Sequence, residues 1–438
     1  MGNKIIIGRN EADRKEFGEN GTVYIGKLFV NMGQTTALSN EIYLDVVRTH
    51  VMLISGKRGS GKSFSASVIA EEMSRLPEDV KKNIAVLFFD TMGVFWTMKY
   101  PNTRQEDLLI PWGLTAEGMD INLFTPTGYF EKEKEKGIPV DFPFALRVSE
   151  LNAGDWCSVF DIKLTDPLGI LIETVLDRIQ KQEKDYAIED IIDAIRKDTK
   201  SKKEDRDGVE IRFLAASKWG LFAQHGTAIE QLLQPGSVNV IDVSVYTNTA
   251  GNWGIKNLVI GLVSRKIFEE RMKARKVEEI ADIQKHKSYF YEEESKETPM
   301  VWIFLDEAHE CIPKIGKTPA TDALVQLLRE GRQPGISLCL VTQQPGEIHR
   351  DVLTQTDIVL SHRLTAKRDI EALNSMMQSY LVTDLQEYLN TLPKDKGSAL
   401  LLDDNSERIF PMRVHPKRSW HGGDAPSAIK TKKKILEF

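Results

Sequence analysis

The chain has 438 residues, of which 41% are hydrophobic and 28% charged, and its formal net charge is −6 at pH 7. This composition predicts a soluble globular protein with roughly two or three domains, or with one elaborated core. The negative net charge excludes a uniformly cationic nucleic-acid-binding surface, although it leaves room for a locally basic channel.

The sequence shows neither a clear targeting segment nor a paired-cysteine pattern. No run approaches the ~20 apolar residues of a bilayer-spanning helix, and the N-terminal residues lack the apolar stretch of a secretory signal. The three cysteines, Cys157, Cys311 and Cys339, show no paired spacing. This argues against a disulfide framework or a cysteine metal site and fits a reducing compartment. We therefore expect a cytoplasmic protein with no membrane partner.

A small β element is predicted first. Residues 22–30 (TVYIGKLFV) and 41–47 (EIYLDVV) have the composition of short strands, and residues 31–34 form a turn between them. We assign residues 1–47 to this element.

A phosphate-binding loop follows. Residues 56–63, GKRGSGKS, match the pattern G-x-x-x-x-G-K-[ST] in full. An apolar strand-like run precedes the loop, and a segment with apolar residues near helical spacing follows it, so a chance glycine-rich turn is disfavoured. The glycines allow successive backbone N–H groups to point at one phosphate, Lys62 would reach the β- and γ-phosphates, and the Ser63 hydroxyl would bind Mg²⁺. The predicted nucleotide-binding residues are Gly56, Lys57, Arg58, Gly59, Ser60, Gly61, Lys62, Ser63 and Phe64.

Alternating strands and helices are interrupted further along the chain. Residues 84–89 are apolar and end in Asp90, as in a parallel core strand with a polar residue at its carboxyl edge. Residues 101–230 lose this alternation and predict a mainly helical insertion. Within the insertion and beyond it, the pattern predicts a charged loop at 131–139, helices at 166–182 and 187–198, a polar link at 200–208, a core strand at 236–246, a helix at 254–275 and a charged segment, partly loop, at 275–299.

The second half of the site comes from an apolar run at 301–305 that ends in Asp306 and Glu307. Asp306 is the expected holder of Mg²⁺, and Glu307 is the expected base that orients and polarises the attacking water. A lone Asp-Glu pair is weak evidence because acidic pairs commonly end strands. The phosphate loop upstream strengthens the assignment.

A predicted helix at 323–329 and strand at 335–345 complete this region. Gln343 would stand at the carboxyl edge of the strand, where its amide could contact the γ-phosphate or the lytic water; the alternative is a polar pair with Thr342 that only caps the strand. Arg332, after the helix, is either a solvated turn residue or an arginine finger that enters a neighbouring subunit's site. Arg363 is the alternative candidate for the arginine finger.

Together these segments resemble the HerA/FtsK superfamily of ATP-driven DNA translocases, and most of all its HerA branch. The matching stretches are RTHVMLISGKRGSGKS, AVLFFDTMGVFW, VWIFLDEAHECIP, LLREGRQPGISLCLVTQQP and VLTQTDIVLSHRLTAKRDIEAL, about half the chain. Two departures stand out. Val94 replaces the acid of the family's D-x-x-G-E pattern, and the region before the phosphate loop is short for the family's β-barrel.

The resemblance implies an α/β fold with a RecA-like P-loop NTPase core at 48–100 and 231–415. The remaining parts would be a reduced barrel at 1–47, the insertion at 101–230 and a tail at 416–438. It also implies ATP hydrolysis between the subunits of a hexameric ring, double-stranded DNA in the central channel and a partner nuclease. The implied catalytic residues are Lys62, Glu307, Arg332 as the finger acting in trans, and Gln343 as the nucleotide sensor.

Three functions stay open. The first is a DNA-pumping motor that serves a nuclease in end processing or defence. The second is an ATPase of the type IV secretion or conjugation kind, and the third is a nucleotide-gated scaffold without motor activity. Candidate DNA-contacting loops lie near Asn102 and Lys218, each of which could be an ordinary surface loop. The basic run at 430–434 could be a strap over an adjacent subunit, a DNA contact or a frayed tail.

Overall fold

The computed structural model describes residues 4–32, 35–182, 185–247, 253–287, 298–376 and 385–423. These residues form an α/β structure around one sheet of thirteen strands. In chain order the strands are β1 (Ile5–Ile7), β2 (Thr22–Met32), β3 (Thr35–Asp45), β4 (Val51–Ser55), β5 (Ile84–Asp90), β6 (Asn122–Pro126), β7 (Phe142–Phe144), β8 (Val238–Asp242), β9 (Met300–Leu305), β10 (Ile336–Thr342), β11 (Ile358–His362), β12 (Ser398–Asp403) and β13 (Arg408–Val414).

Helices cover the sheet and connect its strands. In chain order they are α1 (Glu11–Phe17), α2 (Lys62–Met73), α3 (Glu78–Lys81), α4 (Glu106–Leu109), α5 (Thr127–Glu135), α6 (Ala153–Val159), α7 (Pro167–Gln182), α8 (Ile188–Arg196), α9 (Lys203–Ala216), α10 (Ile229–Leu232), α11 (Trp253–Lys287), α12 (Thr321–Glu330), α13 (Arg350–Gln355), α14 (Lys367–Met376) and α15 (Leu385–Thr391). Short 3₁₀ turns lie at Phe95–Lys99, Thr103–Gln105, Ile110–Trp112, Val148–Glu150, Ser217–Trp219, Ser244–Tyr246, Ala308–Glu310 and Pro345–Glu347.

The sheet has a parallel and a mainly antiparallel half. Its order is β1-β3-β2-β13-β12-β11-β4-β10-β9-β5-β8-β6-β7. All neighbours from β11 to β7 pair in parallel. The strands from β11 back to β3 pair antiparallel, and β1 then pairs parallel to β3. The carboxyl ends of the parallel strands therefore meet at one edge, where ligand sites of α/β sheets form.

Both faces of the parallel half are buried, which explains its continuous apolar runs. Met52 and Ile54 of β4 face a cluster that includes the apolar residues of α2. Leu53 faces the opposite cluster, which also contains residues of the insertion helices and of α11. The alternation follows from the two-residue period of a strand.

The insertion is helical over most of its length and also extends the sheet. Helices α6 to α9 pack together, and β6 and β7 add two parallel strands beyond β8. Two local predictions were wrong. Residues 131–135, expected as a loop, are the last turn and a half of α5, and residues 203–208, expected as a polar link, begin α9. Both segments are rich in Lys and Glu, which are common in loops but are also good helix formers. Because one face of each segment packs against the protein, the segment is helical.

Helix α11 is longer than its sequence pattern predicted. Its 35 residues span about 52 Å and carry the helix from 253 through the charged stretch to 287, where a loop was partly expected. The remainder of that stretch, 288–297, lies outside the described residues, as does the basic run at 430–434. None of the helices in the described ranges combines the length and apolar composition required to cross a bilayer.

The N-terminal β element is joined to the core sheet. Strands β2 and β3 form an antiparallel pair, and β2 pairs with β13 at Met412↔Leu28. Both strands are longer than predicted: β2 continues to Met32 and β3 already begins at Thr35, so only residues 33 and 34 of the expected turn lie between them, outside the described residues.

Candidate active site

The predicted site residues other than Arg332 meet because three neighbouring parallel strands end together. Thr342 at the end of β10 pairs with Ser55 at the end of β4, and Leu340 pairs with Leu305 at the end of β9. The phosphate loop after β4, the acidic pair after β9 and Gln343 after β10 therefore share one edge of the sheet.

The phosphate loop needs its glycines. Gly56 has φ 155°, and a Cβ there would lie 2.4 Å from Ser60 Oγ and 2.7 Å from His362 Cβ. Gly61, with φ 108°, turns the chain into α2. Lys57 N–H donates to the Arg363 carbonyl at 3.0 Å, and Ser60 N–H donates to the Lys57 carbonyl at 3.1 Å. The loop is thus held both by its own backbone and by the end of β11.

His362 is a supporting residue that the sequence analysis missed. Its Nδ1 donates to the Ser398 carbonyl at 3.0 Å, so Nε2 accepts from the Ser65 hydroxyl at 2.9 Å. Burial lowers the pKa of His362 to about 4, so the ring is neutral and fixed in one tautomer. Its neighbour Arg363, considered above as a finger, has an exposed side chain and contacts the loop of its own chain through its carbonyl.

Lys62 lies at the start of α2 with 7% of its surface exposed. Its Nζ donates to the Lys57 carbonyl at 3.3 Å, inside the loop. Burial lowers the pKa of Lys62, and the carboxylates of Glu307 and Asp306 oppose that change. An ammonium surrounded by the loop amides is suited to bind a polyphosphate.

Ser63 and Asp306 are in direct contact. The Ser63 hydroxyl donates to Asp306 Oδ2 at 2.8 Å, and Glu307 N–H donates to Asp306 Oδ1 at 2.9 Å. Burial raises the pKa of Asp306, while Ser63, the Glu307 amide and Lys62 favour the ionised form. A hydroxyl and a carboxylate are oxygen ligands of the kind that Mg²⁺ prefers, usually with phosphate and water completing the shell.

The described residues contain no group of three or more His, Cys, Asp or Glu side chains that could enclose a metal by themselves. The oxygen donors of Ser63 and Asp306, which lie in contact, fit Mg²⁺, and these two residues would hold the ion. The three cysteines are buried and free, and burial raises the pKa of each thiol.

Glu307 is held in an unusual backbone conformation, at φ 51° and ψ 44°. Non-glycine residues seldom adopt this region, and those that do cluster at functional sites. Burial, reinforced by the charge of Asp306, raises the pKa of Glu307 to about 7, although Lys62 and Gln343 oppose the change. A buried carboxyl with a pKa near neutrality is suited to accept a proton from water.

Gln343 holds the Glu307 carboxylate on one side, and His309 lies near its other oxygen. Gln343 Nε2 donates to Glu307 Oε1 at 2.6 Å. Glu307 Oε2 is buried without a hydrogen-bond partner among the described residues, and His309 Nδ1 lies 3.6 Å from it. His309 Nδ1 is also 3.2 Å from the Thr342 hydroxyl. His309 was missed in the sequence analysis although it belongs to the same D-E-A-H stretch, because the stretch was interpreted only for its two acids.

Arg332 is not part of this cluster. It is exposed in the turn before β10, and its carbonyl accepts from the Thr49 hydroxyl at 3.4 Å, just before β4 begins. The seven residues of β10 separate it from Gln343 by about 20 Å, which exceeds the reach of an arginine side chain. Arg332 therefore lies at the opposite edge of the sheet from its own phosphate loop.

A second acidic pair lies beside the site. Asp90 and Asp242 are buried register partners at the ends of β5 and β8. Burial raises the pKa of Asp90, and Asp242 adds to the effect. Asp90 accepts from the amides of Met92, Gly93 and Phe95, so it shapes the turn that contains Val94. Sequence analysis had used Asp90 only to mark the end of its strand.

The candidate DNA loop near Asn102 is packed. Asn102 is buried, and its side chain donates to the Lys417 carbonyl at 2.9 Å. The segment near Lys218 is a 3₁₀ turn in which the Trp219 carbonyl accepts from the Tyr246 hydroxyl at 3.1 Å.

Two family models match most of the chain. The family model described as "Helicase HerA, central domain" matches residues 23–267, and the one described as "Helicase HerA-like C-terminal" matches residues 289–406. A probable DNA double-strand break repair helicase HerA of Methanocaldococcus jannaschii is 24% identical over 417 residues, covering 86% of this chain and 73% of the relative. The DNA double-strand break repair helicase HerA of Pyrococcus furiosus is 30% identical over 206 residues, covering 43% of this chain and 35% of the relative.

Among solved structures, VirB4 of Thermoanaerobacter pseudethanolicus superposes with a TM-score of 0.55 at 14% identity, covering 91% of this chain and 97% of that one. At this identity the similarity concerns the fold alone. The prediction of an α/β fold with a RecA-like P-loop core is confirmed, and so is the resemblance to the HerA branch.

Proposed function

This chain belongs to the HerA helicase family and is an ATP-dependent helicase or translocase, and we propose that it acts as a hexameric ring that moves along double-stranded DNA. The observation that carries the proposal is the convergence of Lys62, Ser63, Asp306, Glu307 and Gln343 at one sheet edge. A phosphate cradle, an oxygen pair for Mg²⁺ and a buried base are the parts that ATP hydrolysis requires.

In this mechanism the loop amides and Lys62 hold the phosphates of ATP. Ser63 and Asp306 would hold Mg²⁺, which would neutralise charge on the phosphates. Glu307 accepts a proton from the attacking water, and Gln343 fixes one oxygen of the Glu307 carboxylate while the other has no hydrogen-bond partner among the described residues.

Arg332 is proposed to act on the nucleotide of the neighbouring subunit. Its distance from its own phosphate loop supports this role, since a residue of the opposite edge can serve only a site on another copy. An arginine supplied across an interface can raise hydrolysis by ~10³ to 10⁵. Hydrolysis would then depend on how two subunits sit against each other, and movement at that interface would be transmitted to DNA.

A nuclease partner and a role in DNA end processing or defence are further parts of the proposal. The names of two relatives support the role in end processing alone: the M. jannaschii protein is named a probable DNA double-strand break repair helicase, and the P. furiosus protein a DNA double-strand break repair helicase. The alternative of a secretion or conjugation ATPase has only fold similarity in its favour, and the complete set of hydrolytic residues disfavours a scaffold without turnover.

The proposal is tested by ATPase assays with and without linear duplex DNA. We expect duplex to stimulate ATP turnover, and we expect the stimulation to weaken as salt rises because DNA contacts would be to phosphates. Lys62→Ala is the negative control and should bind little ATP. Full turnover by a single copy of the chain that is indifferent to duplex would contradict the proposal.

A further inference from the structure

The turn that carries Arg332 is held by an arginine that the mechanism above does not use. Arg271, in the middle of α11, is one of two buried arginines among the described residues, with 2% of its surface exposed. The other, Arg9, pairs with Asp45 in the N-terminal element. A guanidinium taken out of water needs partners for its donors, so the partners of Arg271 indicate its role.

Arg271 donates to the backbone of two segments at the amino edge of the sheet. Its Nε donates to the Pro334 carbonyl at 2.7 Å, in the turn before β10. Its Nη1 donates to the Thr298 carbonyl at 2.5 Å, just before β9, and to Glu278 Oε1 at 3.1 Å. The guanidinium therefore joins α11 to the segments that enter β9 and β10.

Gly335 allows the arginine to approach the turn this closely. Its φ is 83°, and a Cβ there would lie 3.1 Å from Arg271 Nη2 and 3.2 Å from Met300 Cγ. A side chain at this position would meet both left-handed strain and crowding. The Gly335 carbonyl accepts from Val301 N–H at 3.0 Å. The base of the turn is thus fixed between Arg271 and β9.

The tip of the turn is exposed although its base is fixed. Arg332 is exposed, whereas Gly331 before it and Pro334 after it are buried. Ile336 N–H closes the turn by donating to the Gly331 carbonyl at 2.9 Å. The Thr49 hydroxyl donates to the Arg332 carbonyl at 3.4 Å. An exposed side chain on a fixed backbone suits a group that acts on another molecule, since its direction is set beforehand.

We infer that Arg271 is a positioning residue for Arg332: by holding the Pro334 carbonyl, it fixes the direction in which Arg332 extends toward the neighbour's nucleotide. The inference rests on the proposed function. Arg271 is buried and bound to the backbone of its own chain, so it acts through Arg332 and not on the nucleotide. A catalytic group displaced by about 1 Å can cost ~10²-fold in rate.

Helix α11 offers a competing explanation because it also reaches the subunit's own site. Lys256, in its first turn, donates to the Thr91 carbonyl at 3.1 Å, and the Thr91 hydroxyl donates to the Asp306 carbonyl at 3.4 Å. About 22 Å of helix separates Lys256 from Arg271. A change at Arg271 could therefore disturb the acidic pair of its own subunit instead of the arginine that the subunit offers to its neighbour.

Mixed subunits separate the two explanations. ATP turnover and calorimetric ATPγS affinity are measured for Arg271→Met, which replaces the guanidinium by a neutral side chain. We expect the ATPγS affinity to stay within about twofold of the wild type and turnover to fall ~10²-fold. Mixed with Glu307→Gln subunits, Arg271→Met should recover part of the activity, because it supplies an intact base and receives a well-placed arginine. Mixed with Arg332→Ala subunits it should recover none, because neither variant supplies that arginine.

Arg271→Lys keeps the charge but lacks the planar fork that reaches both the Pro334 and the Thr298 carbonyl. Its turnover should lie between those of Arg271→Met and the wild type, and it replaces Arg271→Met in the mixtures should that variant not fold. Arg265→Met is the matched control on the same helix. The Arg265 guanidinium pairs with Asp155 at 3.0 Å, away from the turn, so this variant should retain turnover.

Wild-type turnover in Arg271→Met overturns the inference, as does an equal loss of ATPγS affinity and turnover, which would mark a general structural defect. Failure to recover with Glu307→Gln, where Arg332→Ala does recover, also overturns it. Recovery with Arg332→Ala instead assigns Arg271 to the base of its own subunit. Each of these results leaves the proposed function standing. If Arg332→Ala keeps wild-type turnover, or Glu307→Gln restores it at no ratio, the proposed action of Arg332 in trans fails and the inference fails with it.

Discussion

At the scale of single residues, the site depends on a few buried polar groups whose partners are fixed. Glu307 shows this best. Its backbone is left-handed, one carboxylate oxygen is bound by Gln343, and burial raises its pKa to about 7. These features keep a basic oxygen ready in a place that excludes most water, which is the requirement for a general base.

Glu307→Gln should bind ATP and fail to hydrolyse it. The amide retains the size of the side chain and a partner for Gln343, but it cannot accept a proton, so turnover should fall by ~10² to 10⁴. Steady-state ATPase assays and calorimetry of ATPγS binding measure the two quantities. Glu310→Gln, in the same turn, is the matched control and should retain turnover; turnover of Glu307→Gln at the wild-type rate would remove its assignment as the base.

At the scale of secondary-structure elements, two buried polar clusters join segments that are far apart in the chain. His50, just before β4, has Nδ1 at 2.7 Å from Asp357 and Nε2 at 3.8 Å from Asp45 of the N-terminal element. Asp45 also accepts from Arg9 at 2.7 Å, with both side chains fully buried. These contacts fasten β1 and β3 to the core.

This cluster predicts a pH-dependent stability. Burial alone would lower the pKa of His50, but the hydrogen bond to Asp357 and the nearby carboxylate of Asp45 outweigh it and raise the pKa to about 9. A raised pKa means that the stabilisation is complete below the unfolded value of about 6.5 and is lost as the pH rises through about 9. Urea denaturation should show a loss of up to roughly 3 kcal/mol between pH 6 and pH 9.5 in the wild type.

His50→Gln should show a smaller loss over the same interval because the titrating group is gone. If the stability of His50→Gln falls with pH as steeply as that of the wild type, groups other than His50 cause the pH dependence. His225→Gln is a suitable control, since that residue is exposed and lies outside the cluster.

The C-terminal strap, residues 415–423, supplies the second element-scale prediction, because the carboxylate of Glu71 in α2 accepts from the amides of Arg418 and Ser419 and from the Ser419 hydroxyl. Glu71→Ala removes the acceptor of two backbone amides and a hydroxyl, so it should release the strap rather than unfold α2. Hydrogen exchange at the amides of Arg418 and Ser419 should accelerate by more than tenfold. Glu78→Ala, an exposed residue of α3, should leave both amides protected; equal protection in Glu71→Ala would show that other contacts hold the strap.

At the scale of the whole molecule, the two edges of the sheet carry the two halves of the site that we propose to be shared between subunits. The phosphate loop, Asp306 and Glu307 occupy the carboxyl edge, and Arg332 occupies the amino edge. In a closed ring the carboxyl edge of each copy would meet the amino edge of the next, which is a head-to-tail interface of the kind that closes by rotation.

This arrangement predicts complementation between two inactive variants. Arg332→Ala should bind ATPγS almost as well as the wild type and lose ~10³-fold or more in turnover, because the lost group acts only in the transition state. Mixed with Glu307→Gln subunits, it should recover part of the ATPase activity, since some interfaces then combine an intact base with an intact arginine. Arg329→Ala, at the end of α12, is the control; absence of recovery at every mixing ratio would count against action in trans.

The sequence by itself determined the chemistry. The spacing of Gly56, Gly61, Lys62 and Ser63 and the apolar runs before Asp306 and Gln343 were enough to predict which residues meet, because parallel strands that end together bring their following residues to one edge. These are local patterns whose physical cause, a glycine-dependent loop or a strand buried on both faces, lies within a few residues.

Only the tertiary structure decided the rest. It showed that His362 supports the loop, that His309 lies beside the base, that residues 131–135 and 203–208 are helical, and that residues 418–419 are anchored on Glu71 of α2. Such facts depend on contacts between residues that are tens to hundreds of positions apart, and a single buried His or Trp has the same local sequence signal whether it fills a core or holds a catalytic group. The spacing of apolar residues in a segment predicts which face of its helix or strand is buried. Which residues pack against that face depends on the packing of the whole chain.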